Sequence, residues 1–183
     1  LLGDWMVVCL FAECRFFLGN TSGFFILSTV FGVPCALANM APMSHAALTL
    51  RDISIPKLIW SETAGRYLNF PEVFSSSIAN FTFARLYKDM DLRVDENTAE
   101  DIRDLVCEML DRLDGLWRPE PEDEFLQTNI KALFTPKHYA FGTSARWGSA
   151  FLRKYRFLLG DDARVDRTNN GGIDSEISLA KRA

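Results

Sequence analysis

The chain has 183 residues, 48% of them hydrophobic and 24% charged, with a formal net charge of −4. That length suits one domain of ordinary size, and the composition excludes a disordered or membrane-embedded chain. The slight acidic balance argues against nucleic acid as the main ligand, because binding a phosphate backbone needs a clustered Lys/Arg surface.

The opening Leu1-Leu2-Gly3-Asp4-Trp5 has no initiator methionine and reads as the interior of a longer protein. Residues 5–18 are apolar but are interrupted by Glu13 and Arg15, so they are too short and too charged to span a bilayer. They also lack the cationic start and small-residue cleavage site of a signal peptide. Residues 4–14 have helical spacing, with Asp4 as the expected N-cap and Met6, Val7, Leu10 and Phe11 on one face. Residues 14–18 suit a short buried strand ending at Gly19, and residues 20–23 form a turn of small polar residues. Residues 24–31 are apolar on all sides and are followed by Gly32, which predicts a buried helix with a glycine exit. Residues 33–38 predict a second buried strand, and Asn39 begins the loop after it. Strand, turn, helix, glycine and strand make a compact βαβ unit with parallel strands.

Residues 40–90 are broken by Pro42, Pro56 and Pro71. A short strand or extended loop is expected within 54–60, and short helices within 70–74 and 79–90. Residues 92–94 read as a third short strand. Thr98 opens the clearest helix, with Asp101 as its capping-box partner and Gly115 at its end. Its buried stripe is Ile102, Leu105, Val106, Met109, Leu110 and Leu113; Glu100, Arg103, Asp104, Asp111 and Arg112 face water. An acidic turn at 118–124 leads to an amphipathic helix over 122–134, a loop over 136–144 and a basic, aromatic helix over 145–159. From Gly160 to Ala183 the composition turns polar, and this tail is expected to be disordered.

Four cysteines, Cys9, Cys14, Cys35 and Cys107, lack CxxC spacing and read as buried free thiols. The histidines, His45 and His138, are far apart and lack the neighbours of a metal site, so no metal is expected. The basic cluster Arg153-Lys154-Tyr155-Arg156 reads either as a solvated helix face or as a peripheral contact with anionic lipid headgroups.

The turn Gly19-Asn20-Thr21-Ser22-Gly23 carries the candidate chemistry. The first N–H groups of a helix lack internal acceptors and the dipole is positive there, so a glycine-bearing turn before a helix can receive phosphate. Thr21 and Ser22 offer hydroxyls, as ligand donors or as helix caps. Asn39 lies at the end of the second strand, on the carboxyl edge where open α/β sheets bind ligands. Lys57 offers a point cation. Weaker candidates are His45, in the loop after the second strand, and Glu96, after the third.

The run from Cys14 to Gly23 and on through Phe31-Gly32-Val33-Pro34 resembles the C-terminal domain of GT-B glycosyltransferases, the heptosyltransferases and related groups among them. The chain is also similar to a bacterial glycosyltransferase family through Asn39-Met40-Ala41-Pro42, Ile55-Pro56-Lys57-Leu58, Arg66-Tyr67-Leu68, Ile78-Ala79-Asn80-Phe81, Glu100-Asp101-Ile102-Arg103 and Phe151-Leu152-Arg153-Lys154-Tyr155. This resemblance implies an α/β fold: a Rossmann-like parallel sheet flanked by helices over residues 1–159, the C-terminal half of a GT-B architecture, with added C-terminal helices over 122–159. It implies a nucleotide-sugar donor bound at Gly19, Asn20, Thr21, Ser22, Gly23, Asn39 and Lys57. The acceptor, a glycan or a lipid-linked sugar, would be bound by an N-terminal domain outside this chain. No cofactor or metal is implied, and the expected location is the cytoplasm, at the inner face of the membrane for a lipid-linked acceptor. A non-catalytic binding module and a sugar-nucleotide epimerase are the alternatives.

Overall fold

The computed structural model describes residues 3–45 and 47–160; the polar tail, from residue 161 on, lies outside the described residues. The chain begins with α1 (Asp4–Glu13), β1 (Phe17–Gly19), α2 (Phe24–Val30) and β2 (Cys35–Met40). There follow β3 (Ile53–Pro56), β4 (Leu58–Ser61), β5 (Arg66–Tyr67), α3 (Phe70–Ser75), a 3-10 turn (Ser77–Asn80), α4 (Ala84–Lys88) and β6 (Leu92–Asp95). The rest is α5 (Ala99–Leu113), α6 (Pro121–Leu133), β7 (Arg146–Trp147), α7 (Ser149–Lys154) and a second 3-10 turn (Arg156–Leu159).

The expected α/β class holds. Four strands form a parallel sheet in the order β1-β2-β3-β7, flanked by helices, in a Rossmann-like arrangement. Side chains alternate across β2 with period two. Ala36 and Ala38 join Ile53 and Ile55 in the main core, which contains Leu105 and Met109 of α5, Leu126 and Ile130 of α6, and Phe151 and Leu152 of α7. Cys35, Leu37 and Met40 face the other side, against Phe17 and Phe25. Burial on both faces is why β2 reads as an unbroken apolar run. Gly148, at the start of α7, lets that helix lie close: a Cβ there would stand 3.0 Å from Ile55 and 3.3 Å from Leu105.

Several sequence expectations are corrected. Gly3, not Asp4, is the N-cap of α1. The helix predicted to be buried over 24–31 has Ser28 as its one buried residue; Phe24, Ile26 and Val30 are exposed. It lies over β1 and β2 beside α1, and its outer face meets nothing else among the described residues. The strand at 92–94 exists, but β6 belongs to a second, antiparallel sheet in the order β5-β4-β6. Within 79–90 the α-helical part is only Ala84–Lys88. The expected continuous helix over 145–159 is instead β7, the short α7 and a 3-10 turn. Arg146 and Trp147 pair with Ile53 and Ser54, a vacancy on the sheet that helical periodicity cannot reveal. Of the cysteines only Cys35 is buried, while Cys9 and Cys107 are exposed. Burial, reinforced by the nearby Asp52 carboxylate, pushes the Cys35 thiol up to about 12.

The predicted capping box of α5 is present: Asp101 N–H donates to Thr98 Oγ1 at 3.1 Å and Thr98 N–H to Asp101 Oδ2 at 3.0 Å. No helix among the described residues is long and apolar enough to cross a membrane.

Candidate functional site

The turn at residues 19–23 stands where β1 leaves the sheet and α2 begins, on the carboxyl edge. Asn20 Oδ1 accepts from the Ser22 N–H at 2.8 Å, which folds the turn on itself. Thr21 Oγ1 donates to the Ala41 carbonyl at 3.0 Å, tying the turn to the loop after β2. Neither hydroxyl caps α2, whose N-cap is Gly23 with no side-chain hydrogen bond. Capping by Thr21 or Ser22, the alternative to a ligand role, is not found, and the Thr21 hydroxyl is committed to Ala41. Among the described residues the N–H groups of Gly23 and Phe24 have no acceptor. A Cβ at Gly23 would meet no heavy atom within 4 Å, so the approach to these N–H groups is open. Gly19 differs, since a Cβ there would run into the Phe17 ring. Its missing side chain serves packing rather than ligand approach.

Asn39 and Lys57 come to the same edge. Asn39 has φ +55°, a left-handed conformation that asparagine tolerates, at the bulge where the β2–β3 register shifts. Its main chain and side chain are both held by Asn97: Asn39 N–H donates to Asn97 Oδ1 at 2.6 Å, and Asn97 N–H donates to Asn39 Oδ1 at 2.7 Å. Asn97 Nδ2 also donates to the Pro56 carbonyl at 2.8 Å. Asn97 therefore binds together the ends of β2 and β3, a role invisible in the string Glu96-Asn97-Thr98, where it reads as the approach to a helix cap. Lys57 N–H donates to the Met40 carbonyl, and its ammonium pairs with Glu96 at 3.1 Å. The two independently singled-out residues, Lys57 and Glu96, are thus one ion pair.

His45 stands in the loop after β2 with its ring edge-on to Tyr139, centroids 4.7 Å apart. Burial holds its pKa below the usual histidine value, so the neutral ring is favoured. No carboxylate orients it among the described residues. The basic cluster at the end of α7 is exposed at Arg153, Lys154 and Arg156 and makes pairs within the chain: Arg153 with Asp123, Lys154 with Asp101 at 2.7 Å, Tyr155 with Asp101 at 3.1 Å and Arg156 with Glu122 at 3.1 Å. Among the described residues no group of three or more His, Cys, Asp or Glu side chains is gathered as for a metal ion.

Strand order does not reverse within β1-β2-β3-β7, so the sheet has no switch-point crevice of the kind where such folds usually seat a ligand. Clefts among the described residues lie elsewhere. One of about 180 Å³, largely apolar, separates α6 from the loop 140–145. The other, of about 310 Å³, lies beyond the end of α5 at the amino edge of the sheet. No family model, curated protein or solved structure matches this chain.

Proposed function

We propose that this chain is the donor-binding half of a GT-B-type glycosyltransferase, with the diphosphate of a nucleotide sugar received at residues 19–23. The observation that carries this reading is the pair of unengaged N–H groups at Gly23 and Phe24, under an open approach, on the carboxyl edge of a parallel sheet. Partial positive charge at that helix start favours an anion. Lys57 adds the cation. Its pairing with Glu96 is no obstacle, because an exposed ion pair contributes only about 0.2–1 kcal/mol. The ammonium turns to the diphosphate, and the freed Glu96 accepts from a ribose hydroxyl. In the transfer, the bond from the sugar's anomeric carbon to the diphosphate oxygen breaks and the nucleoside diphosphate leaves, its charge met by these groups. The acceptor hydroxyl forms the new bond and gives its proton to a base outside this chain. Half a cleft cannot align two substrates, so this chain alone binds donor without transferring sugar.

Titration calorimetry with UDP and GDP tests the reading. One of them binds at roughly micromolar strength; Gly23→Trp abolishes binding, and Lys57→Ala weakens it several-fold while the fold is retained. Absence of binding by both nucleotides, or undiminished binding by Gly23→Trp, overturns it. A second reading, an interaction module without chemistry, draws on the apolar outer faces of α1 and α2, where Trp5 is 79% and Val30 73% exposed. It becomes the better reading if neither nucleotide binds.

A further inference from the structure

The amino edge of the sheet collects arginines. Arg15 precedes β1, Arg51 precedes β3, Arg146 opens β7, and Arg112 and Arg118 flank the end of α5. Three of them have carboxylate partners: Arg15 with Asp114, Arg112 with Glu108 at 2.7 Å and Arg146 with Glu124 at 2.8 Å. The other two have none among the described residues. Among the described residues, Arg51 donates only to the Gly32 carbonyl at 3.2 Å, and Arg118 only to the Gly115 and Trp117 carbonyls at 2.7 and 2.8 Å.

Both line the cleft of about 310 Å³, together with Arg112, Leu113, Trp117 and Leu50, and among the described residues no acidic one lines it. Of the acids next to its lining residues, Asp52 turns its carboxylate inward onto the N–H groups of Cys35, Leu48 and Thr49, and Asp114 is paired with Arg15. Three carbonyls at the end of α5 are already engaged. The Leu110, Asp111 and Arg112 carbonyls accept from the backbone between Asp114 and Trp117. The wall is rigid, because the Arg112 guanidinium stacks on Trp117 with its carbon 3.5 Å from the ring centroid while Glu108 grips its other side.

Two exposed guanidiniums without carboxylate partners, on one concave wall of matching size, present forked donors suited to a tetrahedral oxyanion. We propose that this cleft binds a phosphate-bearing small molecule, through a phosphate-ester or diphosphate group held between Arg51 and Arg118. The site is on the opposite edge of the sheet from residues 19–23 and does not depend on the donor-binding reading.

Inorganic pyrophosphate, titrated at constant ionic strength while the Trp117 indole N–H resonance is followed, tests the proposal. Pyrophosphate shifts that resonance saturably. Arg51→Gln and Arg118→Gln each weaken binding about tenfold or more, since each removes a charge-assisted fork. Arg118→Lys falls between, keeping charge without the fork. Gly23→Trp leaves this binding unchanged, which separates the site from the donor turn. Should Arg51→Gln fail to fold, the exposed Arg118 carries the test alone. An unmoved Trp117 resonance, undiminished affinity in Arg118→Gln, or loss of binding in Gly23→Trp overturns it.

Discussion

Asp52 holds three backbone N–H groups: Cys35 at 2.7 Å, Thr49 at 2.7 Å and Leu48 at 3.2 Å, with its own residue only 1% exposed. It anchors the first residue of β2 to the loop before β3, in the place of a ladder that has not yet begun. A buried acceptor of this kind is costly to remove, because each stranded N–H loses about 1–3 kcal/mol. Cys35 is fully buried, whereas Leu48 and Thr49 are exposed and can turn to water. Asp52→Ala is therefore expected to destabilise the fold by about 2–4 kcal/mol, read as a lower urea midpoint, with Asp52→Asn intermediate because it keeps one acceptor oxygen. Asn97 acts likewise at the carboxyl edge. Neither residue announces itself in the sequence. Arg51-Asp52 looks like surface charge, and only the position of the surrounding N–H groups makes the carboxylate a structural acceptor.

At the scale of elements, α7 is six residues long, too short to persist by its own hydrogen bonds. Three buried acids hold it. Asp101 of α5 takes Lys154 and Tyr155, Asp123 of α6 takes Arg153, and Glu108 of α5 accepts from Ser149 N–H at 2.6 Å and Ser149 Oγ at 3.2 Å. Asp101 and Asp123 are also the capping-box acids of their helices, so each closes a helix start and clamps α7 at once. Burial alone would raise the Asp101 pKa, but the Lys154 and Thr98 hydrogen bonds outweigh it and leave the pKa below the ordinary aspartate value. A carboxyl depressed in the folded state contributes stability above its unfolded pKa of about 3.9 and loses it as pH falls through the folded value. Unfolding followed below about pH 4 should thus show a steep acid limb. Asp101→Asn flattens that limb and costs about 1–3 kcal/mol near neutrality; an unchanged acid limb would show that Asp101 carries none of the linkage.

For the molecule as a whole, the two faces of the sheet are covered unequally. One meets α5, α6, α7 and the aromatic cluster of Phe70, Phe74 and Trp147; the other meets α2 and a smaller cluster around Leu37 and Met40. On the thin side Phe11 stacks on Phe24 with centroids 5.6 Å apart, while Trp5, Met6, Leu10, Ile26 and Val30 remain in solvent. An exposed apolar surface of this kind attracts other apolar surfaces. Leu10→Gln with Val30→Lys is expected to leave the far-UV circular dichroism unchanged and to lower both the fluorescence of the dye ANS and concentration-dependent association in sedimentation. If the double variant unfolds, these side chains belong to the core instead.

The sequence by itself determined the α/β class, the βαβ unit at the start and the capped helix from Thr98. Each of these is a local pattern: period-two or period-3.6 apolar spacing, a cap three residues from its partner, a glycine at an exit. It also marked the turn at residues 19–23 and, separately, Lys57 and Glu96, whose pairing only the tertiary structure brought about. Tertiary structure alone decided the rest. Two residues became a fourth strand because β3 had an open side, an all-apolar helix kept one face in water because only α1 and the β1–β2 side of the sheet pack on it, and a basic segment stayed at the surface while pairing with buried acids. The common reason is that burial and pairing depend on what arrives from elsewhere in the chain, at separations that no local periodicity encodes.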